Sequence, residues 1–419
     1  MTSSLAPPGF TTSLPATADA VIIGAGMVGA ATAAWLAGTG RTVCVIDRTG
    51  PLGGTTASGE GNILVSDKVP GPELALALRS AALWREFAAT TSELGDSPGF
   101  EFERKGGVVV AHDPGQLARL RDLAGRQQAA GVEVTSLDEP GLREAEPHLV
   151  PGLAGGALYP QDSQVQPMLA AVAFLDRARA LSLSRPRGKA RLSVVAAEAI
   201  GLERAASCLR VNTGQGQISA PLVVNAAGPW AGQVARRLGS GLPVRPRRGH
   251  ILVTEPLPPL VRHKVYECGY VATVISDEAA AAYSAVVEAT VSGTVLVGSS
   301  RDFSGHLPGP RGRSGVPEIT VLSEIARRAI ALFPFLGQVR AIRAYTGLRP
   351  ASPDHLPMIG PDPAVPGLYH ATGHEGAGIG LAPVTAELLT ALVDATTPPV
   401  DPVPFAPARF ADPGGRDAR

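Results

Sequence analysis

A doubly wound α/β domain joined to a second, sheet-based α+β unit is the architecture that three observations predict. The first is a strand–glycine–helix–strand unit over residues 20–47. The second is a length of 419 residues, more than a single hydrophobic core usually serves. The third is a pair of strand-like runs at 245–254 and 286–299, which read as an antiparallel sheet separate from the first unit.

The first unit opens with the apolar run Val21 to Ile23, a buried parallel strand. Gly24, Gly26 and Gly29 follow as G-x-G-x-x-G, with Met27 and Val28 opening a helix of small residues. Gly24 permits a sharp turn, Gly26 lets backbone approach a pyrophosphate, and Gly29 lets helix pack on strand. The helix N-terminus then points amide donors at the phosphates. A second strand, Val43 to Ile46, ends in Asp47, followed by Arg48. Asp47 lies 23 residues after Gly24, where a carboxylate accepts hydrogen bonds from an adenosine ribose. These features together predict a dinucleotide site. Taken alone, residues 24–47 leave a nicotinamide cofactor open.

The stretch 53–63 is rich in glycine, serine and threonine and lacks helical or strand period. Coming directly after the ribose acid, it reads as a loop laid against the cofactor, bringing Gly54, Thr55, Thr56, Gly61, Asn62 and Ile63 to it. Residues 72–94 form a long helix with Pro72 in its first turn. Residues 102–111 are β-like, 116–130 helical, and 158–170 a loop that turns helical after Pro167. Short strands occupy 191–211. The run 222–231 is a buried strand ending in small residues, then a helix to Arg237. Ala227 and Gly228 there serve either close approach to the dinucleotide or packing. Residues 319–333 form an amphipathic helix, 341–353 a strand and turn, 368–371 a short strand, and 381–392 a helix. No internal repeat is visible.

Thirty-seven basic and 37 acidic residues cancel, so no general field attracts nucleic acid or acidic lipid. Cys44, Cys208 and Cys268 show neither disulfide nor metal spacing, which fits a reduced, cytoplasmic setting. No metal site is expected. The first 17 residues lack a basic n-region and an apolar h-region, and no segment is long and apolar enough to span a bilayer.

Two C-terminal stretches, 347–360 (GLRPASPDHLPMIG) and 373–383 (GHEGAGIGLAP), join the glycine motif in a pattern that resembles the FAD-dependent D-amino-acid oxidase superfamily. The resemblance lies in the branch of glycine oxidase, sarcosine oxidase and D-amino-acid dehydrogenases, and spans nearly the whole chain. Residues 59–68 (GEGNILVSDK) and 287–301 (VEATVSGTVLVGSSR) are similar to opine oxidase, hydrogen cyanide synthase and hydroxyproline dehydrogenase subunits. The resemblance implies a glutathione-reductase-like FAD fold. Its FAD-binding domain would be discontinuous, over 17–83, 146–238 and 334–410, with a substrate domain over 84–145 and 239–333. Flexible termini would occupy 1–16 and 411–419. Asp47 stands where this family more usually has glutamate. No cysteine follows Cys268, so the covalent flavin linkage of some sarcosine oxidases is absent and FAD is expected to be non-covalent.

The implied reaction is oxidation of the C–N bond of an amino acid, or of an N-substituted, opine-like one, to an imine that hydrolyses to an oxo product and a free amine. Reoxidation would fall to O2 or to another acceptor reached through partner subunits; a homo-oligomer and a flavin-binding scaffold without chemistry stay open. A carboxylate substrate needs a fixed cation, and Arg349 has the planar fork for it; Arg301 is a weaker candidate. Gly347 lies in the same motif. Gly376, Ala377, Gly378, Ile379 and Gly380 would bring backbone donors and a helix N-terminus to the flavin's N1–C2 edge, where reduction places negative charge. His374 and Glu375 read either as contacts for a polar or cationic substituent or as structural loop residues. Tyr266 and Tyr270 flank a strand where related oxidases place a tyrosine over the ligand.

Overall fold

The computed structural model describes residues 13–93, 99–183, 192–205, 208–270, 282–303, 306–307 and 315–411. Most of both expected flexible termini, 1–12 and 412–419, lies outside the described residues.

Strand β1 (Ala20–Ile23), helix α1 (Met27–Gly38) and strand β2 (Val43–Asp47) form the predicted unit. β1 is paired in parallel on one side with β2 and on the other with Leu222–Asn225. Leu192–Ala196 extends the sheet beyond β2, and Leu368–Thr372 extends it beyond Leu222–Asn225, both in parallel. Met358–Pro361 closes this six-stranded sheet as its antiparallel edge. All four residues of β1 are buried, as expected of a parallel strand covered on both faces. One face carries α1, whose Ala30, Ala31, Ala33 and Ala34 are almost fully buried against the helices Pro167–Leu183 and Ala382–Asp394. The opposite face packs on a three-stranded antiparallel layer made by Ala199–Arg204, Leu209–Thr213 and Gly216–Ala220.

The second sheet has eight strands. Its antiparallel heart runs Ala341–Ala351, Arg245–Thr254, Val295–Arg301, Ala282–Ala289 and Lys264–Glu267. Gly107–Ala111 then joins in parallel, a pairing that strand periodicity alone does not show. Helix Ile319–Leu332 buries Val321, Ile325, Ala329 and Leu332 in a core shared with Val287 and Val297. That spacing is the i, i+4, i+8, i+11 stripe of an amphipathic helix.

Three local expectations need correction. The β-like run 102–111 is a strand only from Gly107; before it, Glu103 makes a single bridge to Gln164. The helix expected at 116–130 starts earlier, at Pro114, because the Asp113 side chain accepts from Gln116 N at 2.8 Å and caps it. Leu158 and Tyr159, read as the start of a loop, are the end of a strand of the large sheet, Gly155–Tyr159. Its paired glycines hide this, yet a Cβ at Gly156 would lie 2.5 Å from Val109 O, so only glycine lets the strands approach. Gly155–Tyr159 and Ala341–Ala351 also hydrogen-bond into the large sheet, although both fall in segments expected for the cofactor domain.

Candidate active site

A cleft of about 1740 Å³, counted to its solvent-open mouth, runs from the C-terminal end of β1 and β2 to the large sheet. Its position outside the carboxyl ends of parallel strands is the usual ligand crevice of such sheets.

At its near end the glycine turn is held by close contacts that only glycine allows. Gly24 has φ +113°, and a Cβ there would meet Ala226 O at 2.4 Å; a Cβ at Gly29 would lie 1.9 Å from Gly24 O. Gly26 has no side chain to cap α1, so the first turn of the helix faces the cleft with its amides. One of these, Met27 N, donates to Thr56 Oγ1 at 2.9 Å. Asp47 Oδ2 accepts from Ala25 N at 2.9 Å and Oδ1 from Thr49 N at 2.9 Å, so the shorter acid is fixed at the cleft wall by the turn it faces. Next to it, the Arg48 guanidinium sits 4.3 Å from the Trp230 ring, and the buried Trp230 Nε1 has no hydrogen-bond partner among the described residues.

The loop after β2 is clamped onto the large sheet. Thr55 Oγ1 donates to Leu348 O at 2.6 Å, and a Cβ at Gly347 would lie 2.8 Å from Ser58 O. Gly54, Thr55, Thr56 and Asn62 line the cleft, as do Val28, Ala227 and Gly228 on facing segments. Gly376, Gly378 and Ile379 line it where helix Ala382–Asp394 begins.

Five residues expected at the cofactor do not reach this cleft. Gly29 packs helix on turn, and Gly61 packs against Val165 O, which a Cβ would approach to 1.8 Å. Ile63, Ala377 and Gly380 instead line a smaller recess, about 350 Å³ with its solvent-open mouth included, bordered also by Asn62, Tyr270 and Gly376.

Arg349, half-buried, lies in the wall at the large-sheet end. Its Nη1 donates to Ser300 O at 2.9 Å, and Gly249 on the neighbouring strand makes room: a Cβ there would meet Nη1 at 2.4 Å. Burial and the nearby Arg301 push the Arg349 pKa down to about 10. A guanidinium so placed favours an anion beside it. Arg301 is 4% exposed, with its guanidinium 4.6 Å from the Tyr270 ring. Tyr270 lines the cleft, whereas Tyr266 does not. Tyr266 is mid-strand and fully buried, and its hydroxyl donates to Ser66 Oγ at 2.5 Å, which ties the sheet to the loop above.

His374 and Glu375 both line the cleft and both carry structural bonds. His374 Nε2 is 2.9 Å from Thr385 Oγ1, whose own hydrogen goes to Leu381 O, and burial pushes the imidazole pKa down to about 3. It is therefore neutral, with Nε2–H as donor. Glu375 accepts from Arg247 Nη1 at 3.0 Å and from His355 Nδ1 at 3.0 Å. Burial alone would raise its pKa; the His355 bond and the Arg247 charge hold it below the ordinary carboxylate value.

Sequence reading missed Glu60, Arg247, Gly249 and Trp230. Gly249 carried a signal, since a glycine inside a strand pattern marks close backbone approach. The others gave none, because their partners are remote in the chain.

The cradle fits a flavin dinucleotide: a glycine turn no other residue could make, a helix start whose N-cap glycine brings no side chain, an indole donor without a partner among the described residues at one end and an arginine at the other. Fold and site together define an FAD-dependent oxidoreductase. The chain belongs to the DAO family, described as FAD dependent oxidoreductase, whose sequence model matches residues 19–392. It is 30% identical to the hydrogen cyanide synthase subunit HcnC of Pseudomonas aeruginosa, over 94% of this chain and 96% of that protein. It is 29% identical to the glycine oxidase of the same organism, over 93% and 98%. The structure of glycine oxidase from Geobacillus kaustophilus superimposes with a TM-score of 0.81, at 25% identity, covering 94% of this chain and all of that one. No helix among the described residues is long and apolar enough to cross a membrane.

Proposed function

We propose that the protein oxidises the C–N bond of an amino acid, or of an N-substituted, opine-like amino acid, to an imine that water converts to an oxo product and a free amine. The observation that carries this reading is Arg349. It is a desolvated guanidinium in the wall of the cleft, with Nη1 spent on Ser300 O and further N–H groups in its fork. Such a group holds a substrate carboxylate and thereby sets the position of the carbon next to it. Bound in the cleft, FAD supplies a two-electron acceptor for the hydride. Tyr270 covers the same end, and the neutral His374 leaves that wall without an added charge. The start of helix Ala382–Asp394, behind Gly376 and Gly378, contributes a positive dipole end.

An anaerobic screen tests the reading: holoprotein mixed with D-amino acids, sarcosine and opines, followed by flavin absorbance. Bleaching by at least one amino carboxylate, and not by the matching hydroxy acid, is expected. If every amino acid leaves the flavin oxidised while dithionite reduces it, the reading fails.

A second reading concerns the electron acceptor. The relative HcnC is named as a subunit. By that likeness the chain would pass electrons to partner subunits rather than to O2. Slow reoxidation by air, and fast reoxidation by an artificial dye, would favour it.

A further inference from the structure

Three buried charged side chains meet at the large-sheet end of the cleft, where one of them, Glu60, lines the wall. Lys264 Nζ lies 2.6 Å from Glu288 Oε2 and 3.8 Å from Glu60 Oε2. Each of these side chains is under a tenth exposed. Two carboxylates thus share one ammonium. Glu288 is satisfied, since its other oxygen accepts from Gly61 N at 3.3 Å. Glu60 is not. Its Oε2 accepts from Asn62 Nδ2 at 2.9 Å, and its Oε1 is buried with no hydrogen-bond partner among the described residues. The Asn62 amide, having spent its nitrogen on Glu60, leaves its own Oδ1 buried and likewise without a partner there. Both side chains line the cleft.

Two neighbouring acceptors without a donor among the described residues, one of them a carboxylate, are costly to bury unless a ligand completes them. Their position relates them to Arg349. A Cβ at Gly298 would lie 2.3 Å from Glu60 Oε1, and Ser300, two residues on along the same strand, accepts the Arg349 hydrogen bond. The acceptor pair and the guanidinium therefore flank one short stretch of strand Val295–Arg301, at the same end of the cleft.

We propose that Glu60 and Asn62 form the receptor for the substrate's amino nitrogen, and that the enzyme selects basic amines through them. This rests on the amino-acid reading of the site. Arg349 takes the carboxylate, and Glu60 Oε1 and Asn62 Oδ1 take N–H groups of the ammonium. A hydroxy acid, bringing one donor and no positive charge, leaves the buried carboxylate uncompensated and is rejected.

The test uses holoprotein and two carboxylates of matched shape. 2-Aminoisobutyrate has no hydrogen on the carbon bearing nitrogen, so it binds without being oxidised; isobutyrate lacks the nitrogen. Each is titrated against the flavin spectrum of the parent, Glu60→Gln and Asn62→Ala. Glu60→Gln is expected to weaken 2-aminoisobutyrate by about 10–100-fold and leave isobutyrate unchanged or tighter. Asn62→Ala is expected to weaken the amine selectively, by less. Equal losses for both ligands, or none, overturn the proposal while the carboxylate clamp stands. A ligand-free flavin spectrum or potential altered in Glu60→Gln, with the parental preference for the amine retained, also overturns it, because Glu60 then serves the cofactor. If the parent binds neither ligand, the amino-acid reading itself falls and takes this proposal with it.

Discussion

Arg247 and Glu375 form a buried ion pair 3.0 Å long beneath the loop that carries Gly376 and Gly378, with side chains only 1% and 8% exposed. Strand and loop lie 128 residues apart in the chain, and His355 holds the other carboxylate oxygen. Removing the cation leaves a buried carboxylate with one partner. Arg247→Leu is therefore expected to lose about 3–5 kcal/mol of stability. Urea unfolding of the holoprotein measures it, and a loss below about 1 kcal/mol would mean that the pair is already compensated by water.

Purified protein is expected to be yellow and to release intact FAD on acid or heat treatment. The cradle is built of backbone contacts around Gly24 and Gly29, and no cysteine follows Cys268. Chromatography of the supernatant checks both points. Flavin retained in the protein pellet would contradict the non-covalent expectation, and FMN alone would contradict the adenosine end.

Gly26→Val should fold and carry little flavin. A Cβ at this position meets only Thr56 Oγ1, at 3.1 Å, so the chain itself can nearly accommodate it. The branched side chain instead enters the space in front of the first turn of α1, where a pyrophosphate must touch backbone. Flavin content per folded chain, with folding followed by circular dichroism, is the measurement. A fully loaded variant would place the phosphates elsewhere.

Arg349→Ala should retain flavin with a nearly normal spectrum and reduce it far more slowly with substrate. Truncating one side of a desolvated charge pair costs about 2–5 kcal/mol, roughly 30-fold to several thousand-fold in efficiency. Arg349→Lys should also be poor, since an ammonium does not make two parallel bonds to a carboxylate. Rapid-mixing reduction rates decide. Parental rates in a folded alanine variant would shift attention to Arg301.

Stability should fall in mild acid because of His374. Its pKa is about 3 when folded, against the ordinary 6.5, so the unfolded chain binds the proton first. The contribution is complete above pH 6.5 and is lost as pH falls from 6.5 toward 3, on the order of 5 kcal/mol in all. His374→Gln keeps a donor for Thr385 and should flatten this limb. Melting temperatures of parent and variant between pH 4 and 7 test it. An unchanged slope would assign acid sensitivity to other groups.

Much of this was written in the sequence, and for a local reason. The turn at Gly24, the helix after Gly26 and the strand ending in Asp47 depend on φ, on missing Cβ atoms and on apolar period, all legible within a few dozen residues. The Arg349 motif and the glycine loop at 373–380 were legible as resemblance. What the sequence could not decide was which side chains meet. Tyr266 and Tyr270 read alike, but one is pinned in the core by Ser66, 200 residues away, and the other faces the cleft. Glu60 is one glutamate among many until Lys264, Glu288 and Gly298 converge on it from the other sheet. Burial, orphaned acceptors and shifted pKa values are properties of such long-range neighbours. Only the tertiary structure, by bringing distant strands to one wall, settles them.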